Sequence, residues 1–194
     1  MILKVKDYLL IFILIVLWAL NYILVKILLF SFSPIQLTFD RLLLSSLMLI
    51  IIIALVSPQD LLPFKSVKIN ILILLFGLFD LFIFYILWFV GELYVSPSLA
   101  AIIIYLYPII TVILSVLFLN EHISIKRIIG IMLGFLSIAI TFYDGIKIYS
   151  FIGIILLLLA SLSFSVAAII YKKYLNKINY LHVTLYHFIY ATVL

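Results

Sequence analysis

Long apolar runs, separated by short polar breaks, organise the chain. A helix needs about 20 apolar residues to cross the hydrocarbon core of a bilayer. On that measure the runs predict spans at Tyr8–Phe30, Ile35–Val56, Ile69–Tyr94, Ser98–Leu119, Ser124–Tyr143 and Ser150–Lys172. A seventh run, Leu181–Leu194, is too short to cross. Ser33-Pro34, Ser57-Pro58 with Pro63, Ser96-Pro97 and Asn120-Glu121-His122 mark the breaks, and Ser124 can cap the fifth helix. Proline removes a backbone donor, and serine or asparagine competes for backbone hydrogen bonds, so these residues start and stop helices.

The pattern also recurs within the chain. With a constant offset of 146, Trp18-Ala19 falls on Phe164-Ser165, Ile23 on Ile169, Lys26 on Lys172, Thr38 on Thr184 and Arg41 on His187. Few of these pairs are identities, but the topology between them is informative. Five spans separate one copy from the other, and an odd number inserts the second copy upside down. Inverted repeats of this kind build many secondary transporters, with the binding site between the halves.

Composition agrees with a membrane solvent. Hydrophobic residues make up 69% of the chain and charged residues 10%, against about a quarter charged in a soluble domain; mean hydropathy is +1.51. The net charge of +5 sits in short loops, not on a basic face with interleaved aromatics, so nucleic acid is not an expected partner. The first run is longer than a signal-peptide core and is read as a span. Lys4, Lys6, Lys65, Lys68, Lys126, Arg127, Lys172, Lys173 and Lys177 fall on one side of alternating spans, with Lys147 opposite. The positive-inside rule then puts the amino terminus in the cytoplasm of a multi-pass cell-membrane protein.

Catalysis is not expected. There is no cysteine, and His122, His182 and His187 have no metal-ligand spacing. No nucleophile elbow or phosphate loop occurs, and Glu92 and Asp144 lie at or beyond helix ends without a basic catalytic partner. No cofactor or metal is expected.

Three segments carry a family resemblance. They are Trp18-Ala19-Leu20-Asn21-Tyr22 through Lys26, Ser33-Pro34 and Arg41; Ser96-Pro97-Ser98-Leu99-Ala100-Ala101 with Pro108; and Leu117-Phe118-Leu119-Asn120-Glu121-His122-Ile123-Ser124 with Gly130 and Gly134. In this order and spacing the chain resembles the EamA-like carriers of the drug/metabolite transporter superfamily. The resemblance implies a ten-helix bundle of two inverted five-helix repeats, with both termini cytoplasmic, that moves small metabolites, often amino acids or drugs and often outwards. The expected fold is therefore an all-α integral membrane protein, a polytopic helix bundle. Residues 1–145 would form the first repeat and 146–194 the first two helices of an inverted second repeat, incomplete here. Three features depart from the pattern: Asp40 precedes the family-like arginine, Asp80 occupies a span, and Asn120 stands where a glycine is usual before the glutamate.

Several residues could carry transport chemistry. Leu14, Trp18, Asn21, Tyr22, Val25 and Lys26 form one helical stripe. Trp18, Asn21 and Tyr22 suit a cavity that stacks and hydrogen-bonds a small amphipathic solute; the alternative is helix packing. Lys26, Asp40 and Arg41 share one depth in the outer half. They form either a structural ion pair with Lys26 snorkelling or a cationic rim for a substrate carboxylate. Asp80 shares a face with Gly77, Phe84, Leu87 and Gly91 and is a candidate proton or cation site, the alternative being a hydrogen-bonded packing role. Tyr105 and Pro108 lie on one stripe of span four, where proline permits a hinge or a static kink. Gly130 and Gly134, with the small residues of span six, suit close helix packing or a homo-oligomer. The competing functional reading is a non-transporting remnant or a membrane assembly subunit.

Overall fold

The computed structural model describes residues 5–143 and 150–194. Lys4, Asp144, Lys147 and the expected junction at 145–146 lie outside the described residues. What is described is helical throughout. In order come α1 (Val5–Leu28), α2 (Pro34–Val56), α3 (Val67–Gly77), α4 (Ile83–Leu93), α5 (Pro97–Ile104), α6 (Tyr107–Leu119), α7 (Ile125–Tyr143), α8 (Phe151–Ile170) and α9 (Tyr180–Val193). Five stretches among the described residues are long and apolar enough to cross a membrane: Asp7–Leu28, Pro34–Val56, Val67–Leu93, Pro97–Leu119 and Phe151–Leu175. The chain is thus an all-α polytopic membrane protein. As the short seventh run implies, α9 has only 14 residues.

Serine caps set the helix starts. Ser33 accepts from the Gln36 amide at 3.2 Å and Ser96 from the Leu99 amide at 3.2 Å, each followed by a proline in the first turn. This is the position where proline's missing donor is harmless. At the end of α6, Asn120 adopts φ 52° and ψ 35°. That left-handed conformation explains the departure noted above, because asparagine is the residue that best replaces glycine there.

Two predicted spans are interrupted. The third breaks between α3 and α4 into a π-helical turn, Leu78–Phe82. The fourth breaks at Tyr105-Leu106, and Pro108 sits in the first turn of the helix that restarts there. The 3-10 turn Pro58–Leu61 is tied to the start of α9. Asn179 Nδ2 donates to Asp60 Oδ2 at 2.8 Å, Tyr186 donates to the Leu61 carbonyl at 2.9 Å, and the His182 ring stacks on Phe64 at 3.7 Å.

Helix α8 is the centre of the bundle, packed on α4, α5 and α6, while α9 packs on α2 and α3. Its small residues explain why. Ala160, Ser161, Ser163, Ser165 and Ala167 are all buried, and Gly153 crosses Gly91 of α4 so closely that a Cβ on Gly153 would meet Tyr94 Cβ at 2.8 Å and the Gly91 carbonyl at 3.0 Å. Gly130 instead faces open space, and Gly134 meets only Ile109 at 3.5 Å. The glycine pair expected to pack helices does not do so among the described residues; the Gly91–Gly153 crossing takes that role. Replacing Gly153 with valine should lower stability by about 1–3 kcal/mol through overpacking, while Gly130→Ala should not. Thermal unfolding in detergent checks this, and equal behaviour of the two variants would refute it.

Candidate functional site

The interrupted third span is where the chemistry gathers. A π-helical turn inside an α-helix is common at functional sites because it rotates side chains and frees carbonyls. Here the turn carries Asp80, and the hydroxyl of Ser163 on α8 donates to the Phe79 carbonyl at 2.6 Å. Asp80 Oδ2 faces His187 Nε2 at 2.8 Å. An ionised Asp80 can only accept, and in that state Nε2 is the donor. The imidazole is buried and stacked on Phe76 at 4.2 Å, and its Nδ1 meets no partner among the described residues. Backbone contact fixes this arrangement, because a Cβ on Gly77 would lie 2.7 Å from the His187 carbonyl.

Arg41 of α2 faces the same space. It donates to Asn21 Oδ1 at 3.0 Å, and its guanidinium lies 4.6 Å from the centre of the Tyr85 ring and 6.0 Å from that of Trp88. Together these residues border a cavity of about 280 Å³, walled by Trp18, Phe84, Phe164 and Phe188 among others. It lies between α1, α2, the Asp80 turn, α4, α8 and α9. Aromatic walls with a few directed polar groups are the composition of a small-molecule site.

The remaining candidates fall around it. Tyr22 is buried beside the cavity, its ring 4.7 Å from Trp88 and 6.1 Å from Tyr105. Tyr105 and Pro108 are exposed and do not line the cavity. Lys26 makes no ion pair with Asp40 among the described residues and lines a separate groove with Leu93, Tyr94 and Val95. Its ammonium bonds the carbonyls of Val95 at 2.9 Å, Leu93 at 3.4 Å and Glu92, at the end of α4, where cations are favoured by the helix dipole. Asp40 lines a neighbouring groove with Arg41 and makes no ion pair among the described residues.

Sequence reasoning missed two groups. Glu92, read as a helix-end residue, is wholly buried; Trp88 Nε1 donates to its Oε2 at 2.5 Å, and Oε1 has no partner among the described residues. Nothing local in the sequence announces this burial. His187 did leave a signal, since it occupies the position 146 residues after Arg41, and it holds Asp80, which lines the cavity together with Arg41. The same offset separates Trp18 from Phe164, which line it together, and Ser46 from Thr192, whose hydroxyls bond each other at 2.9 Å across α2 and α9.

With this geometry in place, comparison with known proteins is decisive. The description of the EamA-like transporter family matches residues 5–143. The chain belongs to the EamA-like transporter family. Members of that family are membrane transporters, not enzymes. The chain is 30% identical over 166 residues to the uncharacterized transporter YdfC of Bacillus subtilis, covering 85% of this chain and 53% of that one. It is 28% identical over 171 residues to YvbV of the same organism, covering 88% and 55%. An uncharacterized transporter of Archaeoglobus fulgidus is 30% identical over 104 residues, covering 53% and 37%. The chain therefore spans about half the length, or less, of these relatives. No solved structure matches it.

The Asp80–His187 contact should behave as one unit. A double-mutant cycle of Asp80→Asn and His187→Gln, read by unfolding in detergent, should give a coupling of about 1 kcal/mol, within the usual range for direct partners. A cycle of Asp80→Asn with Lys26→Met should be additive. Additivity of the first pair would show that the contact does not contribute.

Proposed function

We propose that this EamA-family chain acts as a secondary transporter of small metabolites, amino-acid-like or drug-like solutes, working by alternating access between inverted repeats. In this reading residues 1–145 are the first repeat and 146–194 begin the second. The amino terminus lies on the cytoplasmic side of the cell membrane, the orientation that the Lys/Arg asymmetry favours, and the solute is moved outwards, as in the carriers that the chain resembles. The observation that carries the reading is the cavity whose walls include Trp18 and Phe164, residues one repeat offset apart. The Ser46–Thr192 contact adds to it: near a pseudo-two-fold axis, repeat-related residues meet each other, as they do across an isologous interface.

Asp80 is the coupling residue in this proposal. It reaches the cavity from an interrupted helix and its partner comes from the segment after residue 150, so a change in its charge acts on the junction between the two segments. Arg41 and Asn21 orient the solute. Pro108, away from the cavity, acts through the break at Tyr105-Leu106 and not by contact.

The full natural protein in proteoliposomes, given a pH gradient and a panel of small solutes, tests this. Asp80→Asn should reduce gradient-driven flux by about a hundredfold or more, the range typical of losing a proton-transfer group, while leaving solute-driven exchange in place. Pro108→Ala should slow both by a few-fold at most, on the order of one lost helix kink. Flux that is unchanged by Asp80→Asn would remove the coupling role. Absence of any solute flux would favour the non-transporting reading.

A further inference from the structure

We propose that the cavity takes a small monocarboxylate with an aromatic or apolar body, its carboxylate held by Arg41. This rests on the transporter reading and narrows its substrate class. The argument begins with an imbalance of charge. Each partner of Arg41 among the described residues is neutral: the Asn21 amide at 3.0 Å, the Tyr85 side chain and the face of Trp88. A guanidinium has five N–H donors in a planar fork that suits a carboxylate, and among the described residues those of Arg41 reach only the neutral side chains of Asn21 and Tyr85. Arginine within a span ordinarily pairs with an acid or faces a functional cavity. The sequence neighbour Asp40 lies on the adjoining groove and forms no ion pair with it among the described residues.

The acid of the cavity is in the opposite condition. Asp80 already holds His187 at 2.8 Å, and that imidazole is buried on Phe76. Among the described residues the space thus offers a cation without an anionic partner and an anion with a partner in place. A solute carboxylate completes the first; a solute ammonium would have to compete with a buried histidine for the second. Charge-assisted bonds to a guanidinium are stronger than the neutral ones that Arg41 now makes. The walls determine the rest of the solute. Trp18, Phe84, Trp88, Phe164 and Phe188 present ring surface around about 280 Å³, which favours a flat or apolar body of metabolite size.

The chain supplies its own reporter, because its two tryptophans, Trp18 and Trp88, both line this cavity. The 194-residue chain in lipid nanodiscs is titrated with four probes of matched body: hydrocinnamate, phenylalanine, phenethylamine and phenethyl alcohol. Hydrocinnamate should change tryptophan emission and bind about tenfold more tightly than the amine or the alcohol, one good charge-assisted contact being of that order. Phenylalanine should bind no more tightly than hydrocinnamate. Arg41→Gln should erase the preference and Arg41→Lys keep part of it, with circular dichroism confirming the fold; the ranking of the four probes on the unaltered chain decides the matter if either variant fails to fold. Equal or tighter binding of the amine or alcohol, or a preference untouched by Arg41→Gln, overturns the carboxylate class and leaves a solute cavity standing. Silence of the tryptophans to all four probes at millimolar concentration overturns the cavity reading as well.

Discussion

Inside a bilayer no water is available for a backbone carbonyl, so every break in a helix must be answered by a donor from elsewhere in the protein. Helix α8 supplies that answer twice. Pro108 has no N–H for the Ile104 carbonyl, one turn earlier; the hydroxyl of Ser161 reaches it at 3.1 Å and the Ile103 carbonyl at 3.0 Å. Ser165 reaches the Tyr107 carbonyl at 3.0 Å. Ser163, on another side of the same helix, answers the π-helical turn at Phe79. The two irregular spans are thus held by one helix whose small residues let it approach closely. Asp80 owes its position to that support.

Charges within the spans are handled mostly without ion pairs. Lys26 is held by carbonyls at a helix end, Arg41 by an amide and ring faces, and Glu92 by an indole N–H. The contact of acid with ionisable base at the cavity is Asp80 with His187. Neutral partners lower the expense of burying a charge without cancelling it, so Arg41 keeps electrostatic reach into the cavity. A salt bridge with Asp40, which the shared depth of the two residues suggested, would have removed it.

The repeat connects these observations. At one offset, Trp18 and Phe164 are both aromatic and both line the cavity, while Arg41 and His187 differ in chemistry and in partner. Related positions have kept their place and diverged in role: one presents a fixed cation, the other holds an acid. Lys26 and Lys172 diverge in the same way, the first on the carbonyls closing α4 and the second paired with Glu121 beyond α6.

The sequence by itself determined the class and the outer limits of most helices, but not the breaks within the third and fourth spans. Apolar run length, the Ser-Pro starts and the ordered family segments needed no tertiary information, because a span must satisfy its backbone locally and its ends must break where serine and proline stand. His187 left one trace there, as the offset counterpart of Arg41, but its role did not. Tertiary structure decided the rest. The π-helical turn, the burial of Glu92, the move of Lys26 to a helix end and the withdrawal of Tyr105 and Pro108 from the cavity all depend on which helix lies alongside. In a chain that is apolar on nearly every face, periodicity marks no inner side. That side is selected by close approach, at Gly91 against Gly153 and Gly77 against His187, and by hydroxyls that find carbonyls on neighbouring helices far away in sequence.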